Sequence, residues 1–234
     1  MNKQIIGSMV AVCMAVIGIV FPFTQVSPES MIIYFDDFEG STFKWAQSYY
    51  GICSLSDFSS FSGDQCMNIT AYPYCNQEAL RMVGTPEGDL SRFTLDFEFA
   101  MPYTSFNYFC FGLEISSIHR DKAYYASILL PHGQYLDEND TFTDLPGLNY
   151  LGWDLSDNYE IWHKAQLIVD FETGKYVSVT VDDQTLDLVS MNLVPHEKPR
   201  YFWGIVYAWF YVGAYAQSCA CLVDDVSVTL GSET

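Results

Sequence analysis

Two acidic signatures lie near opposite ends of the chain: Phe35-Asp36-Asp37-Phe38-Glu39-Gly40 and Val223-Asp224-Asp225-Val226-Ser227-Val228. Each sets carboxylates beside β-prone apolar residues. A closed β-sandwich brings its first and last strands together, and carboxylates gathered there repel unless water or a cation intervenes. Ca²⁺ takes about six to eight oxygens from carboxylates and backbone carbonyls. Adjacent Asp side chains in a strand point to opposite faces, so each Asp-Asp pair gives at most one side chain to a site. On this reading Asp225 and Glu39, with Asp37 third, hold a structural Ca²⁺. The alternative is that these acids face water at sheet edges and discourage edge pairing.

A second set of residues suits sugar binding. The segment Tyr201 to Val223 carries no charge. As a strand it places Trp203, Tyr207, Trp209 and Tyr211 on one face, with neighbours about 7 Å apart. Aromatic faces stack on the apolar faces of sugar rings, and hydrogen-bonding neighbours supply specificity. The opposite face is also apolar, as in a central strand covered on both sides, so these rings either form a binding platform or fill a core or protein interface. Tyr124, Tyr125, Tyr176 and Trp153 are further aromatic candidates.

The third chemistry is carboxylate catalysis. Glu98 and Glu114 occupy outward positions of two alternating segments read as a hairpin turning through residues 101–106. Glu98 then pairs near Tyr108 or Cys110, and Glu114 falls roughly 13 Å further along. Glycoside hydrolysis needs carboxyl groups about 5–9.5 Å apart, so no catalytic residues are assigned.

Stepping from these residues to the elements that hold them, period-2 alternation is clear in three places. Phe93, Leu95, Phe97 and Phe99 alternate with Thr94, Asp96 and Glu98; Phe109, Phe111, Leu113 and Ile115 share one face; so do Val177, Val179 and Val181. Gly, Pro, Asn and Asp clusters punctuate the intervals. The pattern predicts an all-β, two-sheet antiparallel jelly-roll sandwich forming a single domain over residues 29–234. The acidic stretch 131–158 reads as an exposed insertion and candidate binding loop. Within it, Asp137-x-Asn139-x-Thr141 lacks the glycine and terminal glutamate of a calcium-binding EF-hand loop.

Composition limits the partners. Of 234 residues, half are apolar and 17% aromatic, enough for a substantial core. Acidic residues outnumber Lys and Arg 29 to 10, a net charge of −19 that excludes a phosphate-binding basic footprint and hence a nucleic-acid partner. Residues 1–28, with Lys3 ahead of an apolar run from Ile5 to Phe21, read as a signal peptide or signal anchor; either puts the remainder outside the cell. Setting Cys13 aside, six cysteines remain (Cys53, Cys66, Cys75, Cys110, Cys219 and Cys221), an even count that predicts disulfides in an exported domain. Zinc is the competing use, but no Cys-x-x-Cys occurs and the histidines are scattered. Asn68-Ile69-Thr70 and Asn139-Asp140-Thr141 match the glycosylation sequon.

Phe38-Glu39-Gly40 followed by Trp45, the run from Trp162 through Leu167-Ile168-Val169-Asp170-Phe171-Glu172-Thr173-Gly174-Lys175-Tyr176-Val177-Ser178-Val179, and Val223-Asp224-Asp225-Val226 resemble, in pattern and order, the concanavalin A-like lectin/glucanase jelly rolls and related carbohydrate-binding modules. The resemblance spans residues 31–231. It implies a calcium ion tying first strand to last, a role that falls on Asp37 or Glu39 and on Asp224 or Asp225. It also implies a glycan ligand, although the Glu-x-Asp-x-x-Glu pattern of one glucanase branch is missing. The expectation is a non-catalytic glycan-binding domain at the cell surface. A surface-layer or filament subunit that self-associates is the alternative, and a glycoside hydrolase the third reading.

Overall fold

The computed structural model describes residues 31–47, 51–84, 92–101, 107–116, 123–145, 147, 158–196 and 205–231. The N-terminal segment, Trp153, Tyr201 and Trp203 lie outside the described residues. Within them the chain is all β, sixteen strands in two antiparallel sheets.

The first sheet runs β13 (Gln184–Asp187), β12 (Lys175–Val181), β11 (His163–Asp170), β6 (Phe93–Ala100), β16 (Cys219–Leu230), β4 (Cys66–Ala71) and β3 (Gly51–Ser56), with β1 (Met31–Asp36) also on β16. The second runs β10 (Phe142–Asp144), β9 (Gln134–Leu136), β8 (Ala123–Leu130), β7 (Asn107–Ser116), β15 (Ile205–Ala214), β5 (Cys75–Gly84) and β2 (Ala46–Gln47), with β14 (Val194–His196) also on β8.

The alternating apolar residues build the core between the sheets. Phe93, Leu95, Phe97 and Phe99 of β6 and Phe109, Phe111, Leu113 and Ile115 of β7 are all buried there, as are Val206, Ala208, Phe210 and Val212 of β15. Phe97 makes edge-on contacts with Phe111 and Phe210, both at 4.8 Å between ring centroids. Such pairs add about 0.5–1.5 kcal/mol each beyond the area they bury.

First and last strands do meet. β1 lies along β16 from Met31↔Leu230 to Asp36↔Val226, while β4 occupies the same edge of β16 at Cys219 to Val223. Between them the register against β6 shifts, and Asp225 takes a φ of 47°. This bulge marks the point where β16 changes neighbour, leaving a gap between the ends of β4 and β1.

Two expectations are corrected. β6 and β7 are not a hairpin: they belong to opposite sheets, β6 flanked by β11 and β16, β7 by β15 and β8. Alternation fixes which residues face inward but not which sheet a strand joins. The six cysteines of the described residues are all free thiols. They are dispersed: Cys53 and Cys221 sit in the central core, Cys66 with Ala100 and Leu222, and Cys110 with Leu129 and Trp209 on the second sheet's outer face.

Candidate functional site

The outer face of the second sheet holds a cavity of about 760 Å³. It crosses six adjacent strands, β5 to β10 in sheet order, a span of roughly 24 Å at the usual interstrand spacing. β15 contributes Trp209 and Tyr211; β7, Tyr108 and Cys110; β8, Tyr125, Ser127 and Leu129. Glu78 of β5 stands on one side, and the 131–144 segment supplies His132, Gln134, Leu136, Asp140 and Phe142 on the other. Tyr215, just beyond β15, completes it.

The rings are held by the strands beneath them. In the β7–β15 pair, Trp209 lies opposite Gly112 and Tyr108 opposite Gly213. A Cβ added at Gly112 would come within 2.8 Å of the Trp209 indole, and one at Gly213 within 2.1 Å of the Tyr108 ring. Each glycine thus gives an aromatic ring a flat seat on the sheet. Tyr108 in turn packs against Tyr211 and Tyr215, with centroids 5.9 and 5.6 Å away, and its hydroxyl donates to Asn76 Oδ1 at 3.0 Å. Burial raises the Tyr108 and Tyr211 phenols, so both remain neutral at physiological pH.

Of the segment read as a binding loop, residues 134–144 form the β9–β10 hairpin at the edge of this sheet. Asp137 organises its turn: Oδ1 accepts from Asn139 N (2.9 Å) and Thr141 N (3.1 Å), and Oδ2 from Thr143 Oγ1 (3.0 Å). This side chain is an acceptor for its own loop. Asp140 then adopts a left-handed φ of 60° and accepts a hydrogen bond from the Tyr125 hydroxyl.

Of the aromatic residues singled out in the sequence, Tyr125, Trp209 and Tyr211 line the cavity. Trp209 is only 6% exposed, its Nε1 buried without an acceptor, so it forms floor rather than surface. Tyr207 shares that outer face but is buried and lies outside the cavity lining. Tyr176 is fully buried in the core. His132, Gln134 and Phe142 come from the acidic stretch read as a candidate binding loop, while Tyr108 and Tyr215 come from two other stretches of chain that no sequence motif joins to it.

The acidic residues at the two ends grip one loop. Glu39 Oε1 accepts from Asp64 N (2.7 Å) and Gln65 N (2.8 Å). Asp224 Oδ2 accepts from Phe61 N (2.9 Å) and Ser62 N (3.1 Å), and Asp225 Oδ1 from Ser62 Oγ (2.9 Å). Asp37 accepts from Glu39 N at 3.3 Å. The loop from 59 to 65 fills the gap at the β16 bulge, and its N–H and O–H groups satisfy carboxylates that would otherwise repel. Among the described residues no three His, Cys, Asp or Glu side chains gather to hold a metal ion.

Glu98 lies beside this clasp, opposite Asp224 on β16 and Lys164 on β11. Burial, opposed by Lys164 and reinforced by Asp225, Asp224 and Asp96, pushes the Glu98 carboxyl up to about 7. Burial likewise pushes Asp224 up to about 6, against the pull of its amide donors. Glu114 is on the outer face of the other sheet, opposite Tyr125 and Tyr207. With the whole sandwich between them, Glu98 and Glu114 cannot act on one glycosidic bond.

Comparison of the sequence with protein-family models and with curated proteins finds no match. Comparison with solved structures finds similar chains at low identity. The botulinum neurotoxin serotype G binding domain is similar over 87% of this chain at 12% identity and a TM-score of 0.47; this chain spans 48% of its length. A carbohydrate esterase from Shiga toxin-encoding bacteriophage phi24B is similar over 87% of this chain and 100% of its own, at 12% identity and a TM-score of 0.48. The xylan-binding domain of Paenibacillus barcinonensis Xyn10C is similar over 88% and 97%, at 11% identity and a TM-score of 0.43.

Proposed function

We propose that this domain is a non-catalytic glycan-binding module, displayed outside the cell, and that the cavity on the outer face of the second sheet is its binding groove. One observation carries the reading: a cavity of about 760 Å³ whose lining combines aromatic rings with Glu78 on one side and Gln134, His132 and Asp140 on the other. The volume falls within the usual range for ligand sites, roughly 300–1,000 Å³. Apolar rings supported from below match the C–H faces of sugars, and the polar groups flanking them match hydroxyls. Tyr215 and Phe142 are exposed at the rim, where they can close on a ligand lying over the Trp209 floor.

A glycan array followed by calorimetry on the strongest hits tests it. Binding is expected, with losses of about tenfold or more for Tyr211→Ala and Tyr215→Ala, since an aromatic contact at a binding site contributes on the order of 1–3 kcal/mol. Far-ultraviolet circular dichroism should show both variants folded. Concentration-dependent self-assembly without glycan binding would instead support the structural-subunit reading.

A further inference from the structure

We infer that Asn68 carries an N-linked glycan whose first sugar packs against Phe58 and Tyr159 on the outer face of the first sheet, an inference that rests on the domain being exported. Of the two sequons, this one lies in β4 and not in a loop. Strand alternation sends Met67, Ile69 and Ala71 into the core and turns Asn68 and Thr70 outward. The Thr70 hydroxyl donates to Asn68 Oδ1 at 3.0 Å, so the two polar residues of the sequon share that face. Among the described residues Asn68 Nδ2, the atom that takes the sugar, has no hydrogen-bond partner. The residues opposite Asn68 are Ser54 on β3 and Leu222 on β16.

Asn68 opens on a cavity of about 220 Å³, lined also by Ser56, Phe58, Tyr159, Ala220 and Leu222. That is smaller than the roughly 300–1,000 Å³ of ordinary ligand sites, room for one sugar ring and not for a chain. Phe58 and Tyr159 meet at 90° with ring centroids 6.0 Å apart, and the Phe58 N–H donates to Ser56 Oγ at 3.2 Å. Phe58 is 70% exposed. An aromatic ring standing this far into water gains by being covered, and a sugar tethered to Asn68 is held beside it at high effective concentration. The C–H face of that sugar suits the ring. The attachment is a group transfer to the nascent chain during export. Asn68 Nδ2 attacks C1 of a sugar chain activated as a lipid diphosphate. The N–C1 bond forms as the C1–O bond breaks, the diphosphate leaves with the electron pair, and one amide proton passes to a base of the transferring enzyme.

The test produces the full chain in a host that N-glycosylates its exported proteins, with Asn139→Gln so that Asn68 stands in the only sequon left. Intact mass and peptide mapping are expected to show one glycan on Asn68, lost with Asn68→Gln. The glycosylated protein should melt about 2–4 °C above Asn68→Gln, and should keep that margin after an endoglycosidase trims the glycan to its first sugar. Phe58→Ala, a change at an exposed side chain, should leave occupancy intact and remove most of the margin, measured between the glycosylated and Asn68→Gln forms of each background. An exported chain unmodified at Asn68 overturns the inference while leaving the export reading in place. So does a margin that Phe58→Ala leaves unchanged, or one that trimming to the first sugar abolishes, because that sugar would then not rest on the ring. A chain that is not exported overturns the placement outside the cell and the glycan with it.

Discussion

The ring of Tyr108 lies across Gly213, the residue directly opposite it on the neighbouring strand, so closely that a Cβ there would come within 2.1 Å of the ring. The same strand pair holds the reciprocal arrangement, Trp209 across Gly112. The groove floor therefore depends on two residues with no side chain of their own. A strand glycine ordinarily weakens a sheet; here each makes room for an aromatic ring.

The two glycines should respond differently to alanine. At Gly213 the three atoms nearest an added methyl all belong to the far end of the Tyr108 side chain, which can swing aside. Gly213→Ala is expected to cost about 1 kcal/mol or less in stability yet weaken glycan binding several-fold, because the Tyr108–Tyr211–Tyr215 cluster is displaced. At Gly112 the methyl would also come within 2.0 Å of the Ala126 carbonyl oxygen, so backbone must move. Gly112→Ala should cost on the order of 1–3 kcal/mol or more. Urea denaturation and calorimetry on both variants separate the outcomes; equal stability loss would show that Tyr108 is not free to move.

Much of this fold is legible in the residues. The alternation from Phe93 to Phe99 and from Phe109 to Ile115 reports the buried face directly, because a pleated strand turns successive side chains to opposite sides. The two-sided apolar run through Trp209 likewise marks a central strand, and β15 lies between β7 and β5. What alternation lacks is sheet identity. Phe99 and Phe109 face the same core from opposite sides, so a short connection between two alternating runs reads equally well as a hairpin or as a crossing between sheets. The groove was legible at Trp209, Tyr211 and Tyr125 and in the acidic stretch that supplies Phe142, whereas Tyr108 and Tyr215 join it through strand order. The acids at the chain ends suggested a cation, whereas their partners are the N–H groups of a loop that has no charge pattern to announce it.

Stability should depend on pH through Glu98 and Asp224. Their folded values of about 7 and about 6 lie above the ordinary carboxylate values of 4.5 and 3.8. Below those ordinary values both groups are protonated whether the chain is folded or not, and their contribution to stability is fully present. As pH rises toward the folded values, the unfolded chain releases its protons first, which favours unfolding, and stability falls by up to about 1.4 kcal/mol per pH unit per group. Above the folded values the dependence flattens. Glu98→Gln, which cannot ionise, should lessen the fall between mildly acidic and neutral pH. Melting temperatures measured across that range check the sign; a rise with pH in this window would contradict it.

The clasp between chain ends also makes a definite prediction about calcium. Because Glu39 and Asp225 accept hydrogen bonds from the 59–65 loop, EDTA is expected to leave the melting temperature unchanged. Glu39→Ala should lower it, since two backbone N–H groups lose a charged acceptor, an interaction that contributes on the order of 1–3 kcal/mol. A fall on chelation, reversed by added Ca²⁺, would instead make a cation part of the clasp.

The groove wall is braced from inside the sandwich by Tyr176 of the opposite sheet. Along one edge of β8, β14 pairs with Ala123 to Tyr125 and β9 with Ile128 and Leu129, leaving Ala126 and Ser127 between them. The Tyr176 hydroxyl fills that break, accepting from Ser127 N at 2.9 Å and donating to Leu136 O at 2.9 Å. It does for β8 and β9 what one more ladder rung would do. Tyr176→Phe keeps the ring and removes only this bridge, so buried Ser127 N and Leu136 O lose their partner at a cost of about 1–3 kcal/mol. The effect should be local: faster hydrogen exchange at Ser127 and weaker glycan binding, because Ser127 and Leu136 both line the groove. Exchange at Ser127 no faster than in the parent protein would mean that the wall stands without the phenol.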